Sequence, residues 1–307
     1  MRYFWKSILT LSFWRYSLFS RGALVSIFSI AGAIYLAIEM LDFFSMYTKD
    51  KYSKYTIFAI LAASASITLG TRRPVSRISY KIPKRDFSYD VVIGDLLDTK
   101  CSNVVISTNT TFDTDIASGL ISPDSLQGQL AFRYFNSNTA EMDRQIAESL
   151  QGVEAIDHPS GRGKKKRYPT GTIAKIQAHG KTFFFIAMSE LNEDGNARSS
   201  VRMVDEAVEA LWVYIAERGE LADVAMPIIG TGRGRIQLSR TKMIERLAQS
   251  FADASAERVF SNRLVIYIHP EDAAKHAVNL FEIRDYLAMS LHIWGFEAAN
   301  VFLATIA

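Results

Sequence analysis

Three short stretches of the 307-residue chain place chemistry-bearing residues where an apolar run ends. In MPIIGTGRGRIQLSR, residues 226–240, the run stops at Gly230 and is followed by Thr231, Gly232, Arg233, Gly234 and Arg235. Alternating glycines permit φ > 0 and let backbone N–H groups converge on an anion, while Arg233 and Arg235 can add charge-assisted bonds. The loop is neither GxxxxGK(S/T) nor GxGxxG, so no kinase or NTPase machinery is visible, and a purely structural turn is the competing reading. In IGDLLD, residues 93–98, Asp95 stands just past a strand end, where a carboxylate can accept from an exocyclic amino group such as adenine's or simply close a turn. In VVISTNTTFDTD, residues 104–115, the side chains of Asn109, Thr110, Thr111 and Asp113 leave a strand end as a dense set of donors and acceptors. Asx and Ser/Thr turns produce the same composition.

Other chemistries find little support. Five scattered histidines with no Cys partner and no HExxH spacing give no metal site. His179 and His269 border strands and read as hydrogen-bonded structural residues. The single cysteine, Cys101, excludes an internal disulfide and fits a reducing compartment. Net charge is only +3 and no aromatic platform accompanies the basic run GRGKKKR, residues 161–167, so nucleic acid is not an expected partner. That run reads as an exposed loop, either solvated or touching anionic lipid.

The elements that must position these residues alternate from Ser88 onward. SYDVVIG, SNVVIST, GTIAKIQ, KTFFFIAMS, ADVAMPII and NRLVIYIH are strand candidates. VRMVDEAVEALWVYIAER, SRTKMIERLAQSFADA and PEDAAKHAVNLFEIRDYLAMSL read as helices, the first with Val204, Val208, Leu211, Trp212 and Ile215 on one face. The pattern predicts an α/β domain over residues 88–307, with helices on both faces of a mixed sheet. In such sheets ligands gather where strand carboxyl ends feed helix amino ends. The apolar end, WGFEAANVFLATIA, is too short to span a bilayer and is expected to dock on the domain, with self-assembly the alternative.

The first 71 residues are of another kind. Hydrophobic residues make up 49% of the chain, and the excess is concentrated here. Residues 22–42 hold no charge until Glu39 and, at about 1.5 Å per residue, span roughly 30 Å, one bilayer core. Residues 54–71 contain a second apolar stretch of about 17 residues, at the lower limit for spanning. Basic residues before the first stretch and after the second place both termini and the domain in the cytoplasm. Residues 72–87, basic and holding Pro74 and Pro83, read as a juxtamembrane linker. Small residues recur every fourth position at Ser29, Ala33 and Ala37 and at Ala62, Ser66 and Gly70, which either closes one hairpin or brings chains together. Glu39 reads as a headgroup-level residue.

In order, GDLLD, NVVISTNTTFD and MPIIGTGRGR resemble the adenine-contacting segment, the strand ending in Asn and the diphosphate loop of a macro domain, the ADP-ribose-binding α/β fold. SPDSLQGQL, residues 122–130, and YPTGTIAKI, residues 168–176, are similar to a divergent branch found behind two membrane helices. That branch is the ThsA macro-domain group of type II Thoeris anti-phage defence. The resemblance implies a three-layer α/β/α macro-like domain with a mixed sheet behind a two-helix transmembrane hairpin. It implies that Asp95 holds the adenine amino group, Leu96 offers its backbone N–H, Asn109 with Thr110 and Asp113 faces the distal ribose, and residues 230–235 wrap the diphosphate.

It further implies a ligand rather than a cofactor: an ADP-ribose conjugate, histidine-linked, made from NAD by a separate TIR-domain enzyme. The expected protein is a bacterial inner-membrane effector without catalytic residues, assembling into a homo-oligomer when ligand binds. Two departures bear on activity. The Asn-Ala-Ala-Asn signature of hydrolytic macro domains is reduced to Ile106-Ser107-Thr108-Asn109, and the glycine-run loop that shapes their water site is absent between Phe112 and Gln129. Asp113 and Asp115 could serve as bases, although loop acids are the plainer reading, so a membrane-tethered ADP-ribosyl hydrolase is the alternative. A passive membrane anchor for a nucleotide-binding domain is a third.

Overall fold

The structure is a computed structural model that describes residues 8–9, 11–44, 55–72, 76–81, 86–157, 163–191, 197–218, 221–230, 236, 238–276, 278–280, 282–284 and 286–287. It divides into two units, residues 1–76 with 271–284 and residues 77–270 with 285–307, taken in turn.

In the larger unit, β-branched and aromatic runs become β2 (Ser88–Ile93), β3 (Asn103–Asn109), β6 (Ile173–Ala178), β7 (Lys181–Leu191), β9 (Val224–Pro227) and β10 (Arg263–Ile268). With β1 (Arg77–Lys81) they form a sheet of order β1-β2-β10-β9-β3-β7-β6. The five central strands are parallel, and β1 and β6 pair antiparallel at the two edges. Strands covered on both sides read as nearly continuous apolar runs, which is why FFFIAM and VVI mark the centre. β1 falls within the stretch expected to be linker. Alternation of Ile78 and Tyr80, both buried, with exposed Arg77 and Lys81 lets it serve as an edge strand despite its basic flanks. The short strands β4 (Ile156–Asp157) and β5 (Lys166–Arg167) pair with each other, and β8 (Ala197–Arg198) pairs with β7.

Successive residues face opposite layers. Val104, Ile106, Phe183 and Phe185 pack with Leu130 and Phe135 of α4 (Leu126–Phe135) and with Met142 and Ile146 of α5 (Thr139–Ser149). Phe184 points the other way, its ring 6.0 Å from Tyr214 of α6 (Val201–Arg218), and Trp212 meets Phe251 of α7 (Arg240–Glu257) at 5.5 Å. Each buried aromatic contributes about 1.5–3 kcal/mol, so the two layers are held independently. This is the expected three-layer α/β/α domain with a mixed sheet. The helix expected over 270–291 is interrupted: α8 covers Pro270–Lys275, Val278 N–H reaches back to Ala273 O (2.9 Å) to close it, and helical residues resume at 280, 282–284 and 286–287.

The smaller unit contains α1 (Leu11–Phe19), α2 (Arg21–Phe43) and α3 (Thr56–Thr71). α2 is the one helix among the described residues long and apolar enough to cross a membrane, and none of its apolar window is buried. α3 has 16 residues, so its rise of about 24 Å falls short of a typical core. α2 and α3 pack against each other and α1 packs on both; Ala23, Ser64 and Thr68 are fully buried, and Arg72 donates to Ser20 Oγ at 3.2 Å. Both small-residue stripes, at 29, 33 and 37 and at 62, 66 and 70, are exposed, so they do not close this pair. A Cβ on Gly32 or Gly70 would meet nothing within 4 Å. The connection 45–54 and the apolar end 294–307 lie outside the described residues.

Candidate functional site

The parallel strands β2, β10, β9 and β3 deliver their carboxyl ends side by side. Asp95, Gly230 and Asn109 follow or end β2, β9 and β3, and His269 follows β10. At about 4.8 Å per strand step, the row from β2 to β3 covers about 14 Å.

At the β2 end, Gly94 N–H is held by Ile268 O (3.0 Å) and Asp95 opens a 3-10 turn, Leu96–Asp98. Asp95 Oδ1 accepts from Leu97 N–H (2.9 Å), while Oδ2 forms an ion pair with Arg133 of α4 (2.7 Å). Leu96 is buried, and as the first residue of the turn its N–H has no acceptor within the helix. Tyr134, the next residue of α4, donates to Leu97 O (2.8 Å). Arg133 and Tyr134 were missed from sequence, because nothing local tells a helical arginine which distant carboxylate it meets. The Ser-Pro-Asp-Ser start of α4 was the available signal: Ser125 caps it by accepting from Gly128 N–H (3.1 Å).

At the β3 end, the register with β7 shifts between Thr108 and Asn109, setting Asn109 against Ser189. Such irregularities re-aim a side chain. Thr110 N–H donates to Ser189 O (2.8 Å). Asn109 Oδ1 accepts from Asp113 N–H (3.1 Å) and Thr111 Oγ1 (3.0 Å), and Asn109 Nδ2 donates to Asp113 Oδ2 (3.2 Å). The single Thr111 O–H is shared between Asn109 Oδ1 and Asp113 Oδ2, and Asp113 Oδ1 takes Lys164 N–H (2.7 Å). Gln127 Nε2 donates to Asp113 O (2.6 Å). Asn109, Thr110 and Asp113 are therefore together and buried, with the Asn109 amide keeping one N–H beyond the one given to Asp113. Asp115 is different: exposed, it accepts from Ser118 N–H (3.0 Å), and that bond holds its carboxyl below the usual range. It caps a turn.

At the β9 end, Gly230 has φ 75°, and its carbonyl accepts from Ile236 N–H (3.1 Å). A Cβ there would lie 2.4 Å from Ile236 Cδ1, so glycine closes the base of the loop. Thr231, Gly232, Arg233, Gly234 and Arg235 lie outside the described residues. Beyond the loop, Ser239 caps α7 by accepting from Lys242 N–H (3.3 Å).

One expectation changes. Lys164, read as part of a loop facing solvent or lipid, turns inward to Phe112 O (2.6 Å) and to Asp143. Gly161 and Arg162 of that run lie outside the described residues. His179 borders strands as expected: with Gly180 it forms the two-residue turn joining β6 to β7, both at positive φ, at the amino end of β7 rather than at the carboxyl ends of the parallel strands. Among the described residues no group of His, Cys, Asp and Glu could hold a metal.

Residues 90–269 match the family described as Thoeris protein ThsA, Macro domain. The chain is 21% identical over 201 residues to the Thoeris protein ThsA of Bacillus amyloliquefaciens (strain Y2), covering 63% of this chain and 65% of that relative. The overlap thus spans less than two thirds of the relative's length. Among solved structures it is similar to the Oceanobacillus iheyensis macrodomain with ADP, at 12% identity over 70% of this chain and 100% of that one, TM-score 0.46. It is also similar to the macrodomain of Mycobacterium tuberculosis DarG, at 20% identity over 58% and 96% of the two chains, TM-score 0.35.

Proposed function

The chain belongs to the Thoeris ThsA macro-domain family, and from that premise we propose that it is an anti-phage effector whose macro domain binds an ADP-ribose-derived signal and whose apolar helices then assemble and breach the membrane. The observation that carries this reading is the row of strand ends. Asp95, the Gly230 loop and the Asn109 loop stand in that order over about 14 Å, a span suited to an extended nucleoside diphosphate sugar. In this reading Asp95 and the Leu96 N–H take the adenine, residues 230–235 take the diphosphate, and Asn109 with Thr110 and Asp113 forms the wall beside the distal ribose.

The ligand we favour is histidine-linked ADP-ribose, made from NAD by a TIR-domain enzyme that acts through its product. Sensing fits better than hydrolysis. A general base must be reached by water, yet Asp113 is 1% exposed and already accepts from Asn109, Thr111 and Lys164. Ile106, where hydrolytic relatives would place their first Asn, is fully buried in the sheet's core. Exposure of both small-residue stripes supports assembly between chains, in a bacterial inner membrane with the domain and both termini in the cytoplasm. Ligand drives that assembly only by binding the assembled state more tightly than the resting one.

The test is dye release from liposomes carrying the full chain. ADP-ribose conjugates should trigger leakage that Asp95→Ala or Gly232→Glu abolishes. Leakage by folded protein that ignores every nucleotide would refute the proposal, and turnover of ADP-ribosylated protein would favour the hydrolase.

A further inference from the structure

We propose that Lys164 is a positioning residue that clamps the Asn109–Asp113 loop into its binding shape, an inference that rests on the ligand reading above. Phe112 is the loop's difficult residue: its φ of 51° lies in the left-handed region, where bulky side chains are rare. Its ring is buried and edge-on to Tyr168 at 5.6 Å, and its N–H donates to Asn109 O (3.1 Å). Lys164 supplies what this turn lacks. Nζ donates to Phe112 O (2.6 Å), and the Lys164 main-chain N–H donates to Asp113 Oδ1 (2.7 Å).

The lysine is itself held from the far side. Nζ meets Asp143, whose Oδ1 also takes Thr114 Oγ1 (2.7 Å). Gly163 passes so close that a Cβ would lie 2.7 Å from Asp113 Oδ1, and Tyr168 N–H donates to Thr110 O (2.8 Å). One strap, residues 163–168, thus bonds to residues 110, 112 and 113, and reaches 114 through Asp143. Asp113, fixed by the strap, in turn fixes the Asn109 amide. In a loop with no glycine run, this clamp does by bonding what glycines would do by conformational freedom.

The experiment compares the full chain in detergent with Lys164→Met and Asp143→Asn, reading ADP-ribose affinity by calorimetry and amide exchange at Thr110–Thr114. We expect Lys164→Met to weaken ADP-ribose at least tenfold and speed exchange at those amides at least tenfold, with β3 and β7 amides unchanged. Asp143→Asn should shift both readouts the same way, and the double variant should be no more than twofold worse than Lys164→Met. A lysine serving stability alone would lower the melting midpoint and leave affinity untouched. Affinity within twofold of the parent in Lys164→Met overturns the proposal; should that variant not fold, the same result in Asp143→Asn overturns it. A parent chain that binds no ADP-ribose refutes the ligand assignment, and unchanged exchange at Thr110–Thr114 separately refutes the clamp.

Discussion

Asp95 and Asp113 both follow parallel strands on the same edge of one sheet, yet their surroundings differ. Asp95 is 21% exposed and uses one oxygen for Leu97 N–H and the other for Arg133. Asp113 is 1% exposed and spends both oxygens on Asn109, Thr111 and Lys164. A carboxylate that is partly open and held in place can still accept from an incoming donor. One that is buried and already accepts from three residues is placed to build the wall instead. In the proposed function, the same residue type at matching places divides the site into a reading end and a structural end.

Breaking the structural end should have the largest effect on folding. Asp113→Ala strands the Lys164 N–H and the polar groups of Asn109 and Thr111, at a cost of about 3 kcal/mol. Urea unfolding reads this directly, and a loss below about 1 kcal/mol would erase the contrast. Gly230→Val should come next, at about 2 kcal/mol, because the side chain meets both a positive φ and Ile236. Asp95→Ala removes a turn cap worth about 1 kcal/mol, but should weaken ADP-ribose at least tenfold. Equal losses of stability in the two aspartate variants would dissolve the distinction.

The smallest effect supplies a baseline from a surface pair. Hydrogen bonds from Arg144, then Gln145, lower the Glu141 carboxyl from 4.5 to about 2. A depressed folded value means that the stabilisation is present above 4.5 and is lost as pH falls toward 2. NMR titration should therefore find the Glu141 midpoint near 2, and a midpoint near 4.5 would remove this pair from the account.

How much of this could be read from the chain follows the same division. Asp95, Asn109 and Gly230 were legible because strand-ending turns demand particular residue types at particular places. The six main strands were legible as apolar runs. β1 was not, because Pro74, Pro83 and several basic residues disguise an edge strand that only its pairing with β2 reveals. α4 and α5 were overlooked although Ser125 and Asn138 cap them, being short and weakly apolar. Arg133 and Lys164 were illegible for a deeper reason. Lys164 lies 51 residues from Asp113, and Arg133 lies 38 positions from Asp95, and no local pattern encodes such pairs. In the smaller unit the small-residue stripes were visible from spacing, but only the packed pair showed that they face outward.

The central claim is that the strand-end row binds an ADP-ribose-type nucleotide with Asp95 as its reading end. Calorimetric titration of ADP-ribose into the full chain, beside Asp95→Ala, tests it most directly. Saturable binding by the parent, weakened at least tenfold in a variant that stays folded, is the predicted result. No binding by the folded parent, or equal binding by both, would contradict it.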